Sequence, residues 1–538
     1  MIVNGIELDP ARCPAVLDTL TWDPDAAVRA LTDARQDLES LQAAALGSGL
    51  DPERFKQRVR EMPTRCLSFF PDSLVIRDSR AYLMVGLPDG QRVLLSASIG
   101  RSQPPMPVIA ELSAGLARAA VSCVDSQTLR AFLRHVAPEM GPRSAGAWPR
   151  LGIGSRQTVT VWPGVFRALE RLGGPAEVIQ NSAFRELAPM DVILAPPSGE
   201  AAFLPGHGSV SVGHTGSSIE GLWVAGVAAA VERGFRGHYG ADLDHIPVRG
   251  LDGPRVEEAK RLIECGRHYT FFTVDASPLF HPEADSPAGR FGDAVEAAAR
   301  IYGHIVSLKE GEEFDFEFSM DEGPSLTTPE EQEFVLKSLS ERGVRVAFIA
   351  PNIGFEKRRD YRLPDGLQGL EERVRRLAGQ AAEYGALLDF HSGSDKSPET
   401  YRTLARACGG RLKLKVSGIL QLILAEVMED VAPEMLRFWW DWTLEAARRE
   451  EQQGSAVARE YLAELEERRH REGDAFRPSA RDAFFRDFSF AMVGAKDASG
   501  AFAHRSFFYT LPPPVLDEYS SRVAGYLAQL ADQLGLYG

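Results

Sequence analysis

The chain has 538 residues, 44% hydrophobic and 25% charged, the balance of a globular protein long enough for two or three domains. With 60 Lys and Arg against 75 Asp and Glu, the net charge is −15, which excludes nucleic acid as a partner for want of a basic footprint. An anionic sugar, which one or two local cations can hold, is not excluded.

No apolar run nears the ~18 residues of a membrane span, and the N-terminus shows no basic-then-apolar signal pattern. The cysteines are scattered (Cys13, Cys66, Cys123, Cys265, Cys408) with no C-x-x-C pair, as expected of reduced thiols, so the expected location is the cytoplasm.

Residues 1–149 read as a separate mixed α+β domain. Asp25 to Leu46 has helical periodicity, with Val28, Leu31, Ala34, Leu38 and Leu41 at three- and four-residue steps. Leu74 to Ile76, Tyr82 to Val85 and Arg92 to Ser98 read as strands, the last two joined by a turn at Leu87-Pro88-Asp89-Gly90, and the Pro-rich Gln103 to Pro107 is read as the close of the unit. This domain carries no recognisable chemistry, so capping or homo-oligomerisation is its expected role.

From residue 150 short apolar strands alternate with helical stretches. The expected strands are Leu151 to Ser155, Glu177 to Ser182, Gly237 to Asp242, Tyr269 to Asp275, Phe314 to Ser319, Arg345 to Ala350, Ala386 to His391 and Leu412 to Val416. Helical patterns at Ser218 to Arg233, Pro254 to Cys265, Pro329 to Arg342 and Leu367 to Tyr384 fill most gaps. Eight strands with helical connections predict an α/β fold, a (β/α)8 TIM-like barrel over 150–430, with an open parallel sheet as the alternative. Residues 431–538 read as a mainly helical extension packed on the barrel, including Met435 to Glu451, Ala456 to Glu472 and a terminal helix after Pro514. The aromatic run Phe438-Trp439-Trp440 reads as core or interface. Phe488 to Val493 reads as a last strand, followed by a turn at Asp497 to Gly500 and the segment Ser506 to Thr510.

Barrel enzymes set their chemistry at the C-terminal ends of the strands. Two such ends stand out: Gly240-Ala241-Asp242-Leu243-Asp244-His245, and Leu388-Asp389-Phe390-His391-Ser392-Gly393-Ser394-Asp395-Lys396. An Asp-His pair suits a metal site, since the imidazole of His245 binds an ion and the carboxylate of Asp244 moves a proton beside it. His391 is the second expected ligand, and a neutral imidazole pair suits Zn, Mn, Co or Ni. In Phe314-Asp315-Phe316-Glu317-Phe318 the side chains alternate, so Asp315 and Glu317 point together into the barrel. Glu317 is the expected third ligand, with Asp275 as the alternative. Glu356, beside Lys357 and Arg358 on the loop after the sixth strand, is a candidate general acid/base with an anion clamp. Ser392, Asp395 and Lys396 form a tight polar loop suited to hydroxyls or a carboxylate. Lys415 adds a cation at the end of the eighth strand. His214, in Gly213-His214-Thr215-Gly216-Ser217-Ser218 before a helix, belongs to a further candidate anion site. There is no Rossmann fingerprint, Walker A motif or G-x-S-x-G elbow. What remains is a metal-dependent reaction on a small polar molecule.

Gly240 to Ile246, Arg267 to Thr273, Asn352 to Tyr361, Asp389 to Lys396 and Thr215 to Trp223 together resemble the tagaturonate epimerase family, over roughly residues 150–510. The resemblance implies a divalent-metal enzyme interconverting D-tagaturonate and D-fructuronate, with the neutral pair tagatose and fructose as the related substrates. The Asp-His pair is also similar to that of class II aldolases. That likeness implies Asp244 as proton acceptor, His245 and His391 as metal ligands and Glu356 as the opposing acid. Lys357, Arg358 or Lys396 would then hold the uronate carboxylate. The chain departs from the family pattern at Ser155, where an Asp is expected, and at Val165, where a His is expected. The alternatives are an aldolase or ketose isomerase on the same barrel, and a catalytically silent sugar-sensing barrel.

Overall fold

The computed structural model of the protein describes residues 2–3, 6–7, 30–31, 33–49, 51–88, 91–98, 103–108, 110–114, 117–155, 160–195, 201–204, 208–497, 500 and 502–537. Two compact units divide it, one of Met1–Gly141 with Glu220–Gly237, the other of Pro142–Ile219 with His238–Gly538.

The first unit is built on an antiparallel sheet whose order is Ser68–Phe69, Arg80–Gly86, Arg92–Ser98, Ala117–Cys123, Ala110–Ala114, with Val75–Arg77 also paired to Arg80–Gly86. Leu83, Val85, Val93, Leu95 and Val121 meet Leu31, Phe55 and Val59 in one apolar core. The expected N-terminal helix appears as Arg35–Ser48, and residues 25–29 of that expectation lie outside the described residues. The Pro-rich 103–107 does not close the sheet, because two more strands follow it.

The second unit is a closed barrel of eight parallel strands. In chain order these are β1 (Arg150–Gly154), β2 (Ala176–Ser182), β3 (Tyr239–Pro247), β4 (Phe271–Asp275), β5 (Asp315–Ser319), β6 (Phe348–Ala350), β7 (Leu387–Phe390) and β8 (Leu412–Val416). Each strand pairs with the next, and β8 closes on β1. The helix Pro329–Glu341 shows how sharply the connections are punctuated: Thr328 and Glu331 form a reciprocal capping box, and Pro329 takes the first helical position, where no N–H is needed.

Barrel interiors are usually filled by branched aliphatic side chains. Here the inward positions are largely charged. The lowest layer holds Arg150, whose guanidinium meets Glu177 at 2.9 Å and Asp315 at 3.0 Å and lies over the ring of Phe348. Above it the Lys413 ammonium touches Asp242 at 3.0 Å, Glu317 at 3.1 Å and Asp389 at 3.1 Å, all fully buried. Asp315 and Glu317 both point inward, as the alternation predicts, but into different layers. Gly152 makes room for the lysine above: a Cβ there would lie 2.6 Å from Gln180 and 3.0 Å from Lys415.

After β8 the chain is helical: Gly418–Val431, Pro433–Gln452, Ala456–Glu472, Ala483–Phe488 and Pro513–Gln533. Trp439 and Trp440 are buried, with their indole N–H groups bonded to the Ser489 carbonyl at 3.0 Å and the Asp482 carboxylate at 2.7 Å. The strand expected at Phe488 to Val493 is instead the end of a short helix and a 3-10 turn, Ser489–Ala491. The reason is packing: Asp487, Phe488, Ser489 and Phe490 are buried in succession, and the Ser489 carbonyl accepts from Trp439, where a strand would alternate its side chains between two faces. No described helix is long and apolar enough to cross a membrane.

Candidate active site

Asp244 and His245 are neighbours, and in a regular strand they would point to opposite faces. The chain avoids this with a bulge. Between Leu243 and Ile246 the pairing of β3 with β4 slips, and His245 takes a left-handed backbone with φ 48°. Both side chains therefore line one cavity. The strand was expected to stop at Asp242 but continues to Pro247, so the pair sits in the bulge and not beyond the strand. A left-handed non-glycine residue costs about 1 kcal/mol or more and persists where the surroundings enforce it.

His391, one residue past β7, meets His245 edge-on with ring centroids 4.7 Å apart. Ligand atoms of Asp244, His245 and His391 all lie within 4.8 Å of one another, and all three residues are buried. His391 Nε2 is 2.7 Å from Glu317, and its Nδ1 is 3.1 Å from Asp321. Burial alone would favour neutral His391, but Asp321 outweighs it and lifts the imidazole well above its ordinary value. The Lys415 ammonium lies 2.6 Å from Asp244, 3.1 Å from Glu317 and 2.7 Å from His391 Nε2. Burial would raise the Asp244 carboxyl, yet His245, Lys415 and His391 hold it well below the carboxylate range. Glu317 groups with Asp389 and His391, one layer below the Asp244 cluster. Asp275, the alternative ligand, stands 3.6 Å from His245 Nδ1 and groups with His245 and Glu322.

The cluster opens into a cavity of about 130 Å³ that adjoins a larger one of about 840 Å³, and Asp321, Lys357, Arg358, His391, Ser392 and Arg486 line both. Ser392 and Asp395 also line the inner cavity, each with a left-handed backbone, and so does buried His214, whose ring stands edge-on to Phe490. Glu356 is placed differently. It lines the outer cavity only, is 43% exposed, and receives two hydrogen bonds from Arg362 at 3.1 and 2.7 Å. Lys396 lines neither cavity. Its ammonium donates to the carbonyls of Glu356 (2.8 Å), Arg359 (2.6 Å) and Ser394 (3.1 Å), and burial pulls its pKa down to about 8. It ties the loop after β6 to the loop after β7. Lys396→Met is expected to loosen that tie and quicken amide exchange across 356–359 about tenfold, with KM rising several-fold. Unchanged exchange would show that other contacts hold the loop.

Several residues of the site went unassigned in the sequence. Lys413, Asp242 and Asp389 had a readable signal, since charged residues in otherwise apolar strands at alternate positions must face inward together. Asp321, Glu322, Arg185 and Arg486 had none, because they lie on loops or outside the barrel. Three arginines on the cavity wall each meet an acid: Arg185 with Glu322 at 2.7 Å, Arg486 with Asp395 at 2.7 Å, and Arg358 with Asp487.

Comparison with known proteins points one way. The model of the tagaturonate epimerase family matches residues 286–458. This stretch carries Glu317, His391 and Lys415 but not Asp244, His245 or Arg486. The tagaturonate/fructuronate epimerase of Thermotoga maritima is 35% identical over 156 residues, which is 28% of this chain and 31% of the relative, so the match spans under a third of that relative's length. The glycerol-complexed crystal structure of the fructuronate-tagaturonate epimerase UxaE from Cohnella laeviribosi superposes with a TM-score of 0.64 at 17% identity, covering 87% of this chain and 96% of that one. The native structure of the same enzyme gives 0.64 and 17%, covering 90% and 99%. At that identity the likeness is one of fold, and it extends through the N-terminal and C-terminal parts as well as the barrel.

Proposed function

We propose that this chain is an epimerase that interconverts D-tagaturonate and D-fructuronate, working with a bound divalent ion. The observation that carries the reading is the convergence of Asp244, His245 and His391 on one cavity at the C-terminal end of the barrel. The donor set fits an ion such as Zn, Mn, Co or Ni: two imidazoles with carboxylates beside them, all buried. Among the described residues buried His245 Nδ1 has no hydrogen-bond partner, with the Asp275 carboxylate facing it at 3.6 Å, and the Lys415 ammonium already makes the close contacts to Asp244 and His391 that positive charge would make there. His245 and His391 would hold the ion, with Glu317 or Asp275 completing the set and Asp244 beside it. Bound there, it would supply Lewis acidity toward the sugar's ketone.

The two sugars, counted as 2-ketoses, differ at C4. That carbon is β to the ketone, so its hydrogen is not acidified and direct deprotonation is disfavoured. Cleavage of the C3–C4 bond avoids the difficulty. Asp244 accepts the C4 hydroxyl proton, the C3–C4 electron pair moves into the ketone fragment as an enediolate, and C4 becomes an aldehyde. The aldehyde turns, the bond re-forms on its other face, and the alkoxide takes back a proton. Glu356 serves as that acid in this reading, on condition that it leaves Arg362, moves inward and has first taken up a proton from solvent, and Asp244 returns its own proton to solvent after each turnover. Asp321, held ionised beside His391, orients the imidazole. Among the described residues Cys66, Cys123, Cys265 and Cys408 form no disulfide, which is compatible with the expected cytoplasmic setting.

One observation favours a second reading, a 4-epimerase of neutral ketoses: the three wall arginines already have acidic partners. The test is to load the purified protein with Mn, Zn, Co or Ni, add tagaturonate, and follow the products by NMR. Fructuronate is expected with metal, and none after chelation. Turnover of tagatose alone would favour the second reading, and bound metal with no turnover of either sugar would sink both.

A further inference from the structure

We infer that Arg486 is the residue that recognises the carboxylate of a sugar acid, which rests on the reading just given and names its specificity determinant. Arg486 belongs to the helix Ala483–Phe488, outside the barrel and outside the stretch that matches the epimerase family. Its side chain is 14% exposed and lines both cavities, the inner of which also holds His245 and His391.

The cavity wall carries acids at Asp244, Asp321 and Glu322, so an entering carboxylate needs a fixed cation with donors to spare. Lys357 also lines both cavities, as a single flexible ammonium without the planar fork that pairs with a carboxylate, and four further cations are committed. Arg185 is held by Glu322 with Asp275 and Asp244 nearby, Arg358 by Asp487, and Lys396 by three carbonyls. Lys415 is engaged by Asp244 and Glu317. Arg486 differs. Its Nη2 donates to Asp395 at 2.7 Å and its Nη1 to the Gly418 carbonyl at 2.8 Å. A guanidinium has five N–H donors in a rigid fork. Among the described residues these two bonds account for all its hydrogen bonds, so Nε–H and two more donors lack a protein acceptor.

Its two partners also pre-set the fork. Asp395 stands in the loop after β7 with φ 64°, and Gly418 opens the helix after β8. Arg486 is thereby fixed to the segments that follow β7 and β8, beside His391 and Lys415, before any ligand arrives, which lowers the ordering cost of binding a planar carboxylate. Asp395 balances the charge when the sugar is absent. Its presence does not consume the fork, since one guanidinium can serve two carboxylates on different edges.

The experiment compares tagaturonate with tagatose, which has a hydroxymethyl group in place of the carboxylate, in metal-loaded full-length protein. Wild type, Arg486→Gln and Arg486→Lys are measured for kcat/KM and for Kd by calorimetry, with thermal melts to establish folding. The preference for tagaturonate over tagatose is expected to fall at least tenfold in Arg486→Gln and by less in Arg486→Lys, with the change in KM and Kd and not in kcat. An unchanged preference in a folded variant, even with both sugars slowed equally, would overturn the proposal and leave Arg486 as a loop brace. If Arg486→Gln does not fold, Arg486→Lys decides on the same ratio. Should wild type turn over neither sugar, the proposed reaction falls, but Kd for tagaturonate still judges Arg486: binding lost in the variant supports it, and binding absent from wild type ends it.

Discussion

Asp244→Asn is expected to lower turnover by about 10²–10⁴-fold while the barrel stays folded. The substitution keeps the shape of the side chain and removes the atom that takes the proton. Asp244 is well placed for that task because the bulge turns it and His245 into one cavity, and Lys415 at 2.6 Å with Gln180 at 3.4 Å fixes its rotamer. The same lysine also restrains it, since a carboxylate held so far toward ionisation has little affinity for a proton. For Asp244 to take the proton, the bound sugar has to draw Lys415 away from it, and until then the charge pair keeps the base ionised. NMR of the product mixture gives the rate, and circular dichroism gives the fold. Turnover within threefold of wild type would remove Asp244 from the reaction.

Lys413→Met is expected to cost about 3–5 kcal/mol of stability, the usual penalty for deleting one partner of a buried ion pair. Here the deletion takes from Asp242, Glu317 and Asp389 their closer or shared ammonium, leaving them only Lys415 at 4.0, 3.1 and 3.4 Å. The dependence on pH has a definite sign. Burial raises the Asp389 carboxyl, but Lys413 and Lys415 lower it further, so its folded pKa lies below its unfolded one. Its contribution is complete above about pH 4 and is lost as the pH falls through the folded value. Lys413 is the mirror image: burial lowers it, Asp242, Asp389 and Glu317 raise it more, and its contribution drains only above about pH 10. Asp242 runs the other way from Asp389, because burial raises it and its lysine neighbours do not fully offset that. Urea unfolding of wild type and variant at neutral pH measures the difference. A loss under about 1 kcal/mol would mean that Met packing replaces what the ion network supplied.

The barrel was readable because strand and helix periods alternate with little ambiguity from Leu151 onward. All eight expected strands overlap observed ones, with β3 longer than expected and β6 shorter. The Asp-His pair, His391 and Lys415 were readable as polar groups at strand ends. What strand geometry hides is a bulge: nothing in Leu243-Asp244-His245-Ile246 signals that two consecutive side chains share a face. Glu356 shows a different limit, that sequence does not tell which neighbour holds a charged group. A Glu beside three cations looks like a clamp in sequence, but Arg362, six residues on, takes its carboxylate and turns it toward solvent. Phe488 to Val493 failed because an aromatic run fits a strand or a helix equally, and only Trp439 and Trp440 decide between them.

The charged core also sets an order of events on the ribosome. Asp242 and Glu317 are made 171 and 96 residues before Lys413, and both lysines reside on β8, the last strand. A growing chain with seven strands has Asp242, Glu317 and Asp389 but neither lysine that meets them, Arg150 being taken by Glu177 and Asp315 in the lowest layer, and closing that assembly would bury unpaired carboxylates. Such a species is disfavoured, so the strands stay apart and their acids stay hydrated until β8 emerges. An aliphatic core would reward early collapse of an incomplete barrel, whereas this one withholds closure until the final piece supplies its two lysines.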